Sequence, residues 1–107
     1  MNHVKIIING FLPFKPYQAM AFRNFIFVRN DVTITKTLIA HELVHVHQYR
    51  RDGLIKFLFT WLTQFLFRGY KNISYEKEAY AKQYYTQYQN WASTVLELNH
   101  IKDYRER

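Results

Sequence analysis

Hydrophobic and polar positions divide the chain into a short β-rich beginning and a longer helical body. Residues 25–29, Phe-Ile-Phe-Val-Arg, form an apolar run closed by turn residues, which is typical of a strand. Residues 4–8 are a second strand candidate, and Gly and Pro residues mark the loops. We therefore expect residues 1–32 to form a small β region.

The first helical pattern begins at about Thr33 or Thr35 and ends at Asp52. Either threonine can act as the N-cap, and Gly53 is a suitable C-terminal stop. The pattern predicts one helix whose apolar residues pack on the rest of the molecule.

Residues 54–68 form a third segment that is apolar except for one residue in every four. The polar residues are Lys56, Thr60, Gln64 and Arg68. The segment is shorter than the roughly 20 residues that span a bilayer. A buried packing helix is the expected structure, and a dimer face or an interfacial membrane helix is the alternative.

The last long pattern predicts a single helix that is capped within residues 72–74 and continues to about His100. Glu76 and Glu78 lie in its first turns, where carboxylates suit the positive end of the helix dipole. Because they are two residues apart, they face nearly opposite sides of the helix.

The sequence His41-Glu42-Leu43-Val44-His45 lies inside the first predicted helix. Residues four apart share one helix face, so His41 and His45 can bind one zinc ion. Glu42 projects beside that face, where its carboxylate can take a proton from a metal-bound water. Glu76 or Glu78 can supply a third ligand, and their geometry allows at most one of them to do so.

Composition limits which class of protein the chain can be and which residues can form a metal site. The chain has 107 residues, which predicts one domain spanning 1–107, and it has no cysteine, so a metal site must use His and carboxylate. The net charge is +7, but the basic residues are dispersed. We therefore expect no nucleic-acid binding, and membrane-surface contact is not favoured. The N-terminal apolar run is too short for a signal peptide, which predicts a cytoplasmic protein.

These residues resemble the gluzincin type of zinc metallopeptidase, and within it the small single-domain minigluzincin-like proteins. The resemblance rests on a strand at 25–28, on residues 38–45 with Gln48 after them, and on residues 72–81. It implies an α+β, zincin-like fold, with a short N-terminal β region and a mainly helical body. That body would hold an HExxH active-site helix and a downstream glutamate helix.

The resemblance also implies the third metal ligand. Gluzincins carry it in a Glu-x-x-x-Asp setting, which matches Glu76 to Tyr80, with Tyr80 where Asp is commoner. The other register, from Glu78 to Lys82, fits less well. Glu76 is therefore the favoured ligand beside His41 and His45, and Glu78 is the alternative. The sequence identifies no hydrogen-bond partner for the histidines.

The implied function is zinc-dependent peptide hydrolysis by an endopeptidase. Glu42 would accept the water proton and pass it to the leaving amine. The strand at 25–28 resembles the edge strand along which such enzymes bind an extended peptide or protein substrate. The residues that could stabilise the oxyanion are Tyr49, Tyr75, Tyr80, His47 and His100.

Other functions remain open at this stage. The peptidase could be latent, with residues 98–107, including Asp103 and Glu106, occupying its cleft. Alternatively, zinc could stabilise a binding or structural module without turnover. A third alternative is a basic nucleic-acid or membrane-surface binder in which the motif is incidental.

Overall fold

Three strands and four helices make up the protein, seen in a computed structural model that describes residues 4–13, 17–102 and 104–105, without the side chain of Lys71. The strands are β1 (Lys5–Asn9), β2 (Ala19–Phe22) and β3 (Phe25–Arg29). They form one sheet in the order β1-β3-β2, with β1 parallel and β2 antiparallel to β3. The predicted α+β class is confirmed.

The sequence predicted β1 and β3 but missed β2. This strand has only four residues, Ala-Met-Ala-Phe, and the two alanines have weak strand preference. A two-residue turn joins it to β3, with Arg23 at a φ of 56°. As a result β3 is the central strand, paired on both sides, and the prediction that it is the edge strand beside the substrate is wrong. The edge beside the helical body is β2.

The helix α1 (Lys36–Asp52) is the centre of the core. Its N-cap is Thr35, whose hydroxyl accepts a hydrogen bond from the Leu38 N–H at 3.0 Å. It ends at Gly53, whose φ of 87° favours glycine. All residues from Ile39 to Val46 are buried, because β2, α3 and α4 pack around this helix.

The helix α2 (Leu54–Arg68) has one buried side chain, Phe57. Its ring stacks between Tyr49 and Tyr75, at centroid distances of 3.9 and 4.5 Å. The expectation of a buried packing helix is wrong, since most of its large apolar side chains are exposed. Within the described residues no helix is both long and apolar enough to cross a membrane.

The predicted last helix is two helices. A 3₁₀ turn (Tyr70–Asn72) leads into α3 (Ser74–Lys82), and α4 (Thr86–Leu98) follows after a short break. The break has no Gly or Pro that would have marked it in the sequence. The end of α3 is stabilised by the Gln89 side chain, which donates a 2.7 Å hydrogen bond to the Gln83 carbonyl.

The C-terminal residues return to the beginning of α1. The Arg105 N–H donates to the Ile34 carbonyl at 2.8 Å, and the Lys36 N–H donates to the Arg105 carbonyl at 2.7 Å. Asp103 and Glu106, the carboxylates of the predicted inhibitory tail, lie outside the described residues.

Candidate metal centre

Three buried side chains from two helices converge on one point. His41 and His45 come from α1, and Glu76 comes from the first turn of α3. One ligand atom from each lies within 4.8 Å of the other two. The Nε2 atoms of both histidines lie 3.1 Å from the Glu76 carboxylate, each facing a different oxygen. This cluster could hold a metal ion.

Two aromatic side chains fix the Glu76 carboxylate from the other side. The Tyr70 hydroxyl donates to Glu76 Oε1 at 2.9 Å, and the Trp61 Nε1–H donates to Oε2 at 3.3 Å. These donors come from the 3₁₀ turn and from α2. They can keep the carboxylate in place when a cation takes over the contacts to His41 and His45.

A glutamine oxygen holds the far nitrogen of each imidazole. The Nδ1 atom of His41 lies 2.8 Å from Gln83 Oε1, and the Nδ1 atom of His45 lies 2.8 Å from Gln48 Oε1. A proton on Nδ1 leaves Nε2 as the nitrogen available to a metal. Both imidazoles are therefore oriented as ligands towards Glu76.

The orientation of the Gln48 amide follows from its other contacts. Its Nε2 donates to the Tyr75 carbonyl at 3.0 Å and to Glu78 Oε1 at 2.8 Å. Both partners are acceptors, so the nitrogen of the amide must face them and Oε1 must face His45. The Nδ1 atom of His45 must then carry a proton. Gln48 thus sets the tautomer of His45.

Replacing Gln48 by Met should weaken zinc binding about 10- to 100-fold, the range for losing a partner that orients a metal-bound histidine. The affinity can be measured by competition with a chromophoric chelator. The matched control is Gln64→Met, because the Gln64 side chain bonds the Ser74 N–H and not a histidine. Equal affinity of both variants for zinc would contradict the role given to Gln48.

Charge within the cluster is balanced by protons. Burial alone would lower the pKa of His45, but its hydrogen bond to Glu76 and the charges of Glu76 and Glu42 raise it to about 9. Burial alone would raise the pKa of Glu76, but hydrogen bonds from both histidines hold it well below its usual range. A cation that binds here replaces the proton on His45 Nε2.

Glu42 lies beside the cluster without joining it. It is buried, and burial raises its pKa above the usual range, partly offset by the charges of His45 and His41. Within the described part of the chain its carboxylate forms no hydrogen bond. A carboxylate with a raised pKa and no fixed donor is suited to taking up a proton and releasing it.

Glu78, the alternative third ligand, lies elsewhere. It binds Arg51 at 3.0 Å, Lys82 at 2.7 Å and the Gln48 amide, on the side of α3 that faces away from the cluster. Burial would raise its pKa, but these hydrogen bonds lower it to about 2. Glu78 is indirectly connected to the site, because it helps to orient Gln48.

Three of the residues that were predicted to stabilise the oxyanion lie away from the candidate metal centre. The Tyr75 hydroxyl donates to Asp52 at 2.8 Å, at the far end of α1. His47 is exposed and lies near the Tyr88 ring at 6.4 Å. His100 lies in the turn after α4.

The other two predicted oxyanion residues, Tyr80 and Tyr49, do reach the site. The Tyr80 ring is 4.5 Å from that of His41, and about half of its surface is exposed. Tyr49 is buried and lines a cavity next to His45. Tyr80 is the better candidate for contact with a bound molecule, because its ring borders open space beside His41.

Two cavities meet at Glu42. One, of about 370 Å³, is mainly apolar and lies between β2, α1 and α2, lined by Met20, His45, Phe57 and Trp61 among others. The other, of about 380 Å³, is more polar and includes His41 and Tyr80. No described residue of the C-terminal tail lines either cavity. The motif therefore lies at the middle of a cleft with two chemically different halves.

Sequence reasoning missed the residues that support the ligands. Tyr70 and Trp61 looked like core aromatics, and Gln83 had no motif. Gln48 had a signal, since it follows His45 by three residues on the same helix face.

No protein-family model, curated protein or solved structure matches this chain. The cluster must therefore be interpreted from its own geometry.

Proposed function

We propose that this protein is a zinc-dependent peptidase with a zincin-like fold of the gluzincin type. The observation that carries the proposal is the convergence of His41 Nε2, His45 Nε2 and the Glu76 carboxylate, with Glu42 between two cavities. Two imidazoles and one carboxylate are a ligand set of catalytic zinc sites. Their fixed Nδ1 partners and the absence of cysteine from the chain favour zinc held by nitrogen and oxygen.

The chemistry depends on Glu42. A zinc ion at the three ligands would lower the pKa of water and polarise a peptide carbonyl. The Glu42 carboxylate would accept the proton from that water and deliver it to the departing amine nitrogen. Tyr80 would donate a hydrogen bond to the oxygen on which negative charge develops.

The substrate would lie in the cleft as an extended segment. Among the described residues β2 is an edge strand, and it borders both cavities, since Ala19 lines the polar half and Met20 and Ala21 line the apolar half. A peptide paired with β2 would satisfy the unpaired backbone groups of this edge strand. A peptide or protein is therefore the proposed substrate class, and endoproteolysis is the proposed reaction. A cytoplasmic location stays a prediction.

The direct test is cleavage of an unstructured protein by the zinc-loaded chain. Fragments should appear with zinc, disappear when 1,10-phenanthroline removes the metal, and reappear when zinc is restored. Fragments that persist in the chelator would contradict the proposal. One bound zinc without any cleavage would favour the alternative, a zinc-stabilised module without turnover. Activity gained by deleting residues 98–107 would support latency.

A further inference from the structure

The outward face of α2 is apolar and exposed to solvent. Ile55, Phe59 and Leu66 are 78%, 71% and 67% exposed. Further exposed members are Leu58, Leu62 and Phe65. We call these six side chains the outer face of α2. Isolated exposed apolar residues are ordinary, but a continuous group of this size on one short helix marks a binding surface.

Gln64 and Trp61 lie on the opposite side of α2 and face the protein instead. Gln64 Oε1 accepts a hydrogen bond from the Ser74 N–H at 2.6 Å, and Trp61 bonds Glu76. Phe57 is enclosed by rings from α1 and α3. The inner face of α2 thus contacts the body of the molecule through Phe57, Trp61 and Gln64. The outer face cannot turn inwards without breaking these contacts.

A loop continues the apolar surface beside the helix. The ring of Phe11 is 82% exposed, and the adjacent Leu12 and Pro13 line the same cavity as Leu58 and Trp61 on α2. The loop and the outer face therefore lie on either side of one opening. Together they offer large apolar side chains from two separate parts of the chain.

All charged side chains in the loop at Phe11, in α2 and in the residues around them along the chain are positive. Residues 1–30 and 53–75 contain no Asp or Glu. Lys56 and Arg68 are exposed near the two ends of α2. Asp52, the carboxylate closest to α2 along the chain, is paired with Arg51. A second copy of the chain would bring equal charges together at this surface, whereas an anionic lipid surface complements them.

We propose that the outer face of α2 and the loop at Phe11 bind the surface of an anionic lipid bilayer. The helix would lie in the plane of the interface, with its apolar side chains below the headgroups and with Lys56 and Arg68 at the anionic headgroups. Large apolar side chains with flanking cations are the features such attachment requires. The proposal does not depend on the metal centre, so each can fail without the other.

Co-sedimentation with lipid vesicles tests the proposal. The full chain should bind vesicles of phosphatidylcholine mixed with phosphatidylserine, and binding should weaken with added salt. The variant Phe59→Ser with Leu66→Ser should bind at least about tenfold more weakly, since two apolar side chains leave the lipid. Both residues are exposed, so folding should persist, which circular dichroism can verify. Phe11→Ser tests the loop independently and should weaken binding as well.

The matched control is Leu98→Ser, an exposed leucine at the end of α4 that lies outside the outer face of α2. Its vesicle binding should equal that of the unchanged chain. Vesicle binding that survives Phe59→Ser with Leu66→Ser would overturn the proposal. Equal binding to pure phosphatidylcholine would overturn it too, because charge would then play no part. A stable dimer dissociated by the same double variant would instead assign the surface to a second copy.

Discussion

Replacing Glu76 by Gln should reduce zinc affinity by more than about a hundredfold, since losing only a residue that orients a ligand already costs 10- to 100-fold. The carboxylate is the only anionic group of the described cluster that faces both histidine Nε2 atoms. An amide keeps the size of the side chain but offers one oxygen instead of two and carries no charge. Chelator competition measures the loss.

Glu78→Gln is the matched control, because it makes the same change two residues away. Glu78 pairs with Arg51 and Lys82 on the other side of α3, so its replacement should leave the zinc ligands intact. A small loss of affinity can reach the site through the Gln48 amide. If Glu78→Gln weakened zinc binding as much as Glu76→Gln, the assignment of the third ligand would be wrong.

Glu42→Gln should lower kcat for peptide hydrolysis about 10²- to 10⁴-fold, the usual contribution of a general base. The reason is that Gln cannot accept the proton. Zinc content should stay near that of the unchanged chain, because the Glu42 carboxylate is not among the three converging ligands. Progress curves with a fluorogenic peptide, beside elemental analysis, separate the two effects.

The pattern of loss distinguishes catalysis from metal binding. Glu42→Gln should lose turnover and keep zinc, whereas His45→Ala should lose both. Hydrolysis that continued at the original rate in Glu42→Gln would show that Glu42 is not the proton carrier. It would also leave the buried carboxylate between the two cavities without a catalytic role.

The parts of the fold that could be predicted depend on local chemistry. Thr35 and Gly53 fixed the ends of α1, since an N-cap hydroxyl and a glycine at positive φ act within one helical turn. The side of its helix on which each of His41, Glu76 and Glu78 lies could likewise be inferred. The inference used helix periodicity and the alignment of the gluzincin pattern with this sequence. These features need no knowledge of distant residues.

The unpredicted parts depend on contacts between distant segments. The break between α3 and α4 has no Gly or Pro and is stabilised by Gln89, and it places Gln83 against His41. The weak strand β2 exists because β3 pairs with it. The nearly uniform apolar pattern of α2 could not show which side faces inwards, because apolar residues occur on all sides of that helix.

The central claim is that His41, His45 and Glu76 hold one zinc ion. Elemental analysis of protein purified without a metal-affinity tag tests it most directly, with His45→Ala prepared in parallel. We expect about one zinc per chain in the unchanged protein, and almost none in the variant. No zinc in the unchanged protein, and none bound after zinc is added, would contradict the metal centre and the peptidase proposed from it.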